Sequence, residues 1–336
     1  MYSIQPTDER LVIHDLASQA VRTSFAEDVH EGLLSQPRHL FPKYFYDELG
    51  SQLFEAICLL PEYYLTRAEN EIMASHADEM VAEVGSPLRL LEMGSGSASK
   101  TRRIIEAILK EQGKLLYTPI DISAYALETS SRVLLQAYPR LSINAFASDY
   151  YNGLKAFGSS ATRSAGRTLA LFLGSNIGNF DRKEAVTFLQ ALRSVLAPDD
   201  ALLLGADLKK EREVLLAAYD DSLGVTAAFN LNLLARINRE LDADFNLRAF
   251  RHTVVYDEDA GRIEIYAESL RAQTVRVGKL DIEIRFEEGE RIHTENSYKY
   301  DMADLSALAA ETGFTLSRTW LDSMKRFSSN LFIACA

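Results

Sequence analysis

From Leu88 onward the chain alternates short apolar runs with helix-period stretches, and that alternation leaves few folds open. LRLLEM precedes a helix pattern over Lys100–Lys110, LLYTPIDI one over Ala124–Ala137, and LSINAFASDY a shorter helical link. TLALFLGS then precedes Arg182–Leu196, and ALLLGADL a helix beginning near Lys210. Apolar runs of this kind suit strands buried on both faces, and a crossover helix is what returns the chain to pair in parallel. The pattern predicts an α/β fold around a parallel sheet.

Two other rhythms flank it. The first 80 residues read as mainly helical, with amphipathic candidates at Thr23–Leu34 and Gly50–Leu60. Between Phe245 and Phe286, RIEIYAESL and KLDIEIRF alternate with period two, the mark of antiparallel sheet half open to solvent. Helix Met302–Thr312 and the strand patterns TLSRTWLD and NLFIACA could complete the first sheet. The expectation is therefore discontinuous: a core from residues 72–244 and 301–336, and a second α+β lobe from 1–71 and 245–300. The polar stretch ERIHTENSYKYD, residues 290–301, reads as a loop between strand and helix patterns.

Bulk properties narrow the function. A formal charge of −12 argues against nucleic-acid binding, which needs positive charge concentrated on a face. The longest apolar runs fall well short of the roughly 18–20 residues a membrane span needs, and MYSIQPTDERL lacks a basic-then-apolar signal pattern. Cys58 and Cys335 can form neither a disulfide framework nor a metal site by spacing. A cytoplasmic monomer acting on a small molecule, with no metal, is expected.

The chemistry-bearing residues cluster at predicted strand ends. LLEMGSGSASK places Glu92, Gly94 and Gly96 between a strand and a helix, where backbone N–H groups lie open to a ligand. Asp121 ends the next strand, where a carboxylate can bind ribose hydroxyls. Asp149 ends the third, followed by Tyr150, where an acid can accept from an adenine amino group and a ring can cover the base. Three acids at successive strand ends suit S-adenosylmethionine, a sulfonium without phosphate, better than a pyrophosphate cofactor that they would repel. FLGSNIGNF ends the fourth strand with Gly174, Gly178 and Asn179 at the same rim, and the Asn179 amide can meet a carboxylate and an amine at once.

Over nearly its full length the chain resembles the ergothioneine-pathway L-histidine Nα-methyltransferases, an S-adenosylmethionine-dependent family. The matching segments are KYFYDELGSQLFEAICLLPEYYLTRAE, LEMGSGSASKTR, PIDIS, FLGSNIGNF, AAYDDSLGVTAAFNLNLLARINRELDADF and HTENSYKY. The resemblance implies a Rossmann-like class I methyltransferase parallel sheet with a discontinuous substrate-binding lobe. It implies that Gly94 and Lys100 belong to the cofactor loop, that Asp121 holds the ribose, and that Asp149 and Tyr150 hold the adenine. It implies Asn179 and Tyr219 at the substrate's carboxylate and amine, Tyr46 near the amine, and Tyr63 near the imidazole. Glu295 and Ser297 would read the two ring nitrogens; two apart on an extended backbone, they share a face. Where the family often has methionine beside the ring, this chain has Ile265.

The implied reaction is Nα-methylation of L-histidine to the trimethylated betaine hercynine, a step toward ergothioneine. Two alternatives stay open at this point: an Nα-methyltransferase for another amino acid such as tryptophan, and a non-catalytic sensor of S-adenosylmethionine or amino acid.

Overall fold

The fold is described from a computed structural model covering residues 9–16, 20–96, 98–159 and 166–336, with residues 20–24 as helical backbone only. The chain begins with strand β1 (Leu11–Asp15) and helices α1 (Ala20–Leu34), α2 (Glu48–Cys58) and α3 (Tyr64–Val84). The alternating segment follows as β2 (Leu88–Met93), α4 (Thr101–Gln112), β3 (Leu115–Asp121), α5 (Ala124–Ala137), β4 (Leu141–Ala147) and α6 (Tyr150–Ser159). It continues through β5 (Arg167–Phe172), α7 (Arg182–Val195) and β6 (Ala201–Asp207) to α8 (Arg212–Tyr219) and α9 (Val225–Leu241). Then come β7 (Phe250–Asp257), β8 (Arg262–Ser269), β9 (Gln273–Val277), β10 (Ile282–Phe286), β11 (Arg291–Tyr298), α10 (Met302–Glu311), β12 (Phe314–Leu321) and β13 (Phe327–Ala334).

Eight strands form one sheet in the order β1-β4-β3-β2-β5-β6-β13-β12. Strands β1 to β6 pair in parallel, whereas β13 runs antiparallel to β6 and β12 antiparallel to β13. All seven residues of β6 are buried, as a strand covered on both faces requires. The chain steps outward from β2 through β3 to β4, then returns to β5 on the other side. That reversal puts the loops after β2 and β5 next to each other at the carboxyl edge, the usual ligand position in an open α/β sheet. Helix starts follow local chemistry: Asp181 caps α7 in a capping box with Glu184, and Asp47 caps α2 by accepting from the Gly50 N–H at 2.7 Å.

The chain divides into two compact units. The first comprises the described parts of Met1–Ser18 with Arg67–Leu208 and Tyr300–Ala336, and holds the whole eight-stranded sheet. The second comprises Gln19–Thr66 and Lys209–Lys299, with a three-stranded sheet β11-β8-β7 and a two-stranded sheet β10-β9. Helix α2 packs on α9 there, and Phe45 meets Phe229 with ring centroids 4.7 Å apart.

The division departs from the expected boundaries mainly at residues 209–244, which cluster with the second unit. Their helices carry apolar residues such as Phe229, Leu233 and Ile237 that bury within it. Two further differences concern elements. Strand β1 lies in a region read as helical and extends the parallel sheet at its edge. Residues 291–298 are a strand, not a loop: β11 pairs antiparallel with β8, with a bulge between His293 and Glu295. No helix among the described residues is long and apolar enough to cross a membrane.

Candidate active site

In the first unit, the turn after β2 is tied to the end of β3. The Gly94 N–H donates to the Ile120 carbonyl at 2.8 Å, and the Gly96 N–H to Asp121 Oδ2 at 2.9 Å. The other Asp121 oxygen accepts from the Ser123 N–H at 2.9 Å. Burial raises the Asp121 carboxyl, against the pull of these backbone donors. Gly94 has φ +70°, and a Cβ there would lie 2.9 Å from the Tyr150 hydroxyl and 3.1 Å from Asn176 Nδ2. Only glycine accommodates both the left-handed backbone and that approach. The Tyr150 ring packs edge-on against Phe172 with centroids 5.6 Å apart, which holds its hydroxyl at the glycine turn. Burial, then the Asp121 charge, raises the Tyr150 phenol. Asp149 accepts from the Asn152 backbone N–H at 2.9 Å at the start of α6.

Glu92 departs from the expected rim of three acids. It is 3% exposed and accepts from Thr101 Oγ1 at 2.6 Å and from the Tyr117 hydroxyl, so it ties β2 to α4 and β3. Burial raises its carboxyl to about 7. The acids partly open to solvent at this edge are Asp121 and Asp149.

A buried carboxylate braces the same edge from behind. Glu69, on α3 and 0% exposed, pairs with Lys100 and accepts from the Gly174 N–H at 3.0 and 2.9 Å through its two oxygens. Gly205 makes the space, since a Cβ there would lie 2.3 Å from Glu69 Oε1. One side chain thereby joins the loop after β2 to the loop after β5. Asn179 ends the short helix Asn176–Asn179 in that second loop and keeps partial exposure.

In the second unit, Tyr219 ends α8. Its carbonyl accepts from His252 Nε2 at 2.8 Å, while His252 Nδ1 lies 3.0 Å from the Asn230 amide nitrogen. A nitrogen facing an amide donor must accept, so this partner assigns the imidazole proton to Nε2. Burial lowers the His252 pKa, which suits a neutral ring. The Tyr219 hydroxyl lies 2.8 Å from Ser297 Oγ, and Lys299 Nζ donates to both at 2.8 Å. Ser297 and Lys299 are each 3% exposed.

The bulge in β11 gives this strand its chemistry. Thr294 is the extra residue; it turns inward and donates to Asn230 Oδ1 at 2.8 Å. Beyond it, Glu295 pairs with Ile265 and Ser297 with Ile263, so Glu295, Ser297 and Ile265 share one face. Glu295 keeps partial exposure, yet burial raises its carboxyl to about 7, opposed by Lys299. The protein crowds it on most sides without sealing it from solvent. No hydrogen bond joins its carboxylate to another described residue.

Tyr63 joins the same neighbourhood. Its ring centroid is 6.2 Å from that of Tyr219, and burial, then Tyr219, Cys58, Tyr46 and Glu295, raise its phenol. The Tyr46 ring meets Phe54 at 5.5 Å and Phe229 at 5.7 Å. Six expected substrate residues, Tyr46, Tyr63, Tyr219, Ile265, Glu295 and Ser297, thus lie in the second unit, whereas Gly174 and Asn179 lie in the first.

A model of the histidine-specific, S-adenosylmethionine-dependent methyltransferases matches residues 25–334. The chain belongs to that family. It is 39% identical over 318 residues to the histidine N-alpha-methyltransferase of Mycolicibacterium smegmatis, covering 95% of this chain and 97% of the relative. The corresponding enzyme of Mycobacterium tuberculosis is 40% identical, covering 95% and 98%. The ergothioneine biosynthesis protein 1 of Neurospora crassa is 32% identical over 84% of this chain and 32% of that protein.

As a histidine-specific methyltransferase the chain is an enzyme that uses S-adenosylmethionine, and its main sheet is the Rossmann-like class I methyltransferase sheet. The sensor alternative is set aside. The turn fits that cofactor in its left-handed Gly94, where a side chain would crowd Tyr150 and Asn176, in the partly exposed carboxylate of Asp121, and in having, among the described residues, no cluster of cations for phosphates. Sequence reasoning missed Glu69, Asn176 and Lys299 in this methyltransferase. Of these, Lys299 left a readable signal: it follows Glu295 and Ser297 at the same two-residue spacing.

Proposed function

We propose that this methyltransferase converts L-histidine to its trimethylated betaine, hercynine, by successive transfers to the α-amine, a step toward ergothioneine. The supporting observation is the shared face of β11 and β8, where Glu295 has no hydrogen-bond partner among the described residues and stands beside Ser297 and Ile265. A carboxylate accepting one ring N–H and a hydroxyl meeting the other nitrogen recognise an imidazole; a ring lacking them leaves both groups unpaired.

Bound S-adenosylmethionine would supply a methyl group on a sulfonium. In this reading the first unit is the cofactor core: Gly94, Gly96 and Lys100 form its loop, Asp121 holds the ribose, and Asp149 and Tyr150 hold the adenine. The second unit takes the amino-acid side chain, with Tyr63 near the ring. Asn179 and Tyr219 hold the α-carboxylate and amine, and Gly174 lets the backbone approach. Their work is orientation, which can contribute on the order of 7–11 kcal/mol to such a reaction. The protein is read as a cytoplasmic monomer acting on free amino acid.

Incubation with S-adenosylmethionine and each amino acid, followed by mass spectrometry, should show up to three methyl-sized gains on histidine. A gain on tryptophan with none on histidine would overturn the reading.

The ammonium must lose a proton before attack, and Tyr46 is assigned to relay it through a water. A free tyrosine, with a pKa of about 10, is a poor base, so this is a relay and not a store. Tyr46→Phe should lower kcat most at low pH; an unchanged rate at every pH removes Tyr46 from the proton path.

A further inference from the structure

The trio of Lys299, Tyr219 and Ser297 has more donors than its internal bonds consume. Lys299 Nζ gives N–H bonds to the Tyr219 hydroxyl and to Ser297 Oγ, each at 2.8 Å. The Tyr219–Ser297 contact, also 2.8 Å, uses one of the two hydroxyl protons. The other hydroxyl proton points out of the trio. If Tyr219 donates to Ser297, the serine oxygen accepts twice and its own proton is the one directed outward. If Ser297 donates to Tyr219, the serine oxygen keeps a lone pair and can accept from a ring N–H.

Two observations favour the first arrangement. Lys299 is 3% exposed, so its charge acts with little screening by solvent. A protonated ring, offering N–H at both nitrogens, would bring a second positive charge toward it. Glu295, on the same face of β11, is a pure acceptor when ionised and is placed to take a single ring N–H. The second ring nitrogen must then present a lone pair, which needs a serine that donates.

We propose that Lys299 is a positioning residue that directs the Ser297 hydroxyl outward as a donor, so that the Glu295–Ser297 pair selects a neutral imidazole in one tautomer. This inference rests on the reading of the chain as a histidine Nα-methyltransferase. Lys299 touches Ser297 and Tyr219, and it acts on the substrate through them.

The test is a double-variant cycle on the full chain, with KM and kcat for L-histidine as readouts. Lys299→Met should raise KM roughly tenfold to a hundredfold, with a smaller change in kcat. In a Ser297→Ala background the same substitution should add little, because the hydroxyl it directs is gone. Lys299→Arg, which keeps the charge, should recover part of the loss. A Lys299→Met enzyme with the parental KM, or one whose cost adds in full to that of Ser297→Ala, overturns the proposal.

A second measurement needs no variant. Alanine carrying a 1,2,4-triazol-3-yl ring keeps an N–H and a lone-pair nitrogen but stays neutral near pH 7. The unaltered enzyme should methylate it with a KM within about tenfold of that for histidine. Rejection by more than about a hundredfold would mean that a charged ring is needed. Failure to methylate histidine at all would instead sink the functional reading, so the two failures are distinguishable.

Discussion

Replacing Glu295 by alanine is expected to raise the KM for L-histidine by roughly a hundredfold to a thousandfold, the scale on which a charged hydrogen-bond partner within a binding site discriminates. Within the protein, no described residue takes up this carboxylate by hydrogen bonding, so it is free to serve a ligand. Its pH behaviour separates it from the other residues of the strand. Without ligand the carboxyl titrates at about 7, raised by burial and held back by Lys299. The ionised form accepts a ring N–H much more strongly than the protonated one, so affinity is greatest above pH 7 and falls as pH drops through that value. The substrate ring binds a second proton below its own pKa of about 6.5. The logarithm of KM should therefore climb with a slope approaching about two at low pH, and about one in Glu295→Gln, which has lost one titrating group.

Stability should move the other way. A carboxyl raised from 4.5 to about 7 holds its proton more tightly folded than unfolded, so it contributes most at low pH. That contribution is lost as pH rises from about 4.5 through 7. Ligand-free Glu295→Gln should accordingly melt above the parent at pH 8, by differential scanning fluorimetry, while binding histidine worse. Equal KM and equal pH slopes in parent and variants would rule out the assigned role.

How far these features could be read from sequence depends on whether their cause is local. The parallel sheet was legible because burial on both faces writes a continuous apolar run, as in Ala201–Asp207. Strand β1 was not: LVIHD is short and largely exposed, and its place is set by pairing with β4 far along the chain. The polar stretch 290–301 reads as a loop because Thr294, Ser297 and Lys299 are residue types usually found at the surface. Here they are buried and hydrogen-bonded to Asn230, Tyr219 and one another. Its bulge, which puts Glu295 beside Ile265, leaves no mark in residue type. Asp121 was legible as a strand-end acid, whereas Glu92, equally a strand-end acid, points inward to Thr101 and Tyr117. Position along a strand predicts which end a side chain occupies, but not which neighbours claim it.

Glu69 is the clearest case of a role with no local signature, and it carries the largest expected effect on stability. It sits in α3 among other polar residues, RAENEIM, yet it is 0% exposed while Lys100, its partner, keeps 21% side-chain exposure. Glu69→Ala removes the ion pair, leaves the Gly174 N–H without its acceptor and opens a void against Gly205. Breaking a fully buried pair costs about 3–5 kcal/mol, and because Lys100 can turn to water the expected loss is about 2–4 kcal/mol. For a chain of this size that corresponds to a fall in Tm of roughly 3–6 °C. Affinity for S-adenosylhomocysteine should fall with it, since the loops after β2 and β5 lose their common brace. Glu69→Gln isolates the charge: the amide oxygen can still accept from Gly174 and the shape is kept, so the Tm should fall by less than half as much. The loss of the Lys100 pair should still weaken the cofactor product. Thermal melts and calorimetric titration of all three proteins decide the matter; an alanine variant that keeps both the parental Tm and the parental affinity would mean that Glu69 braces nothing.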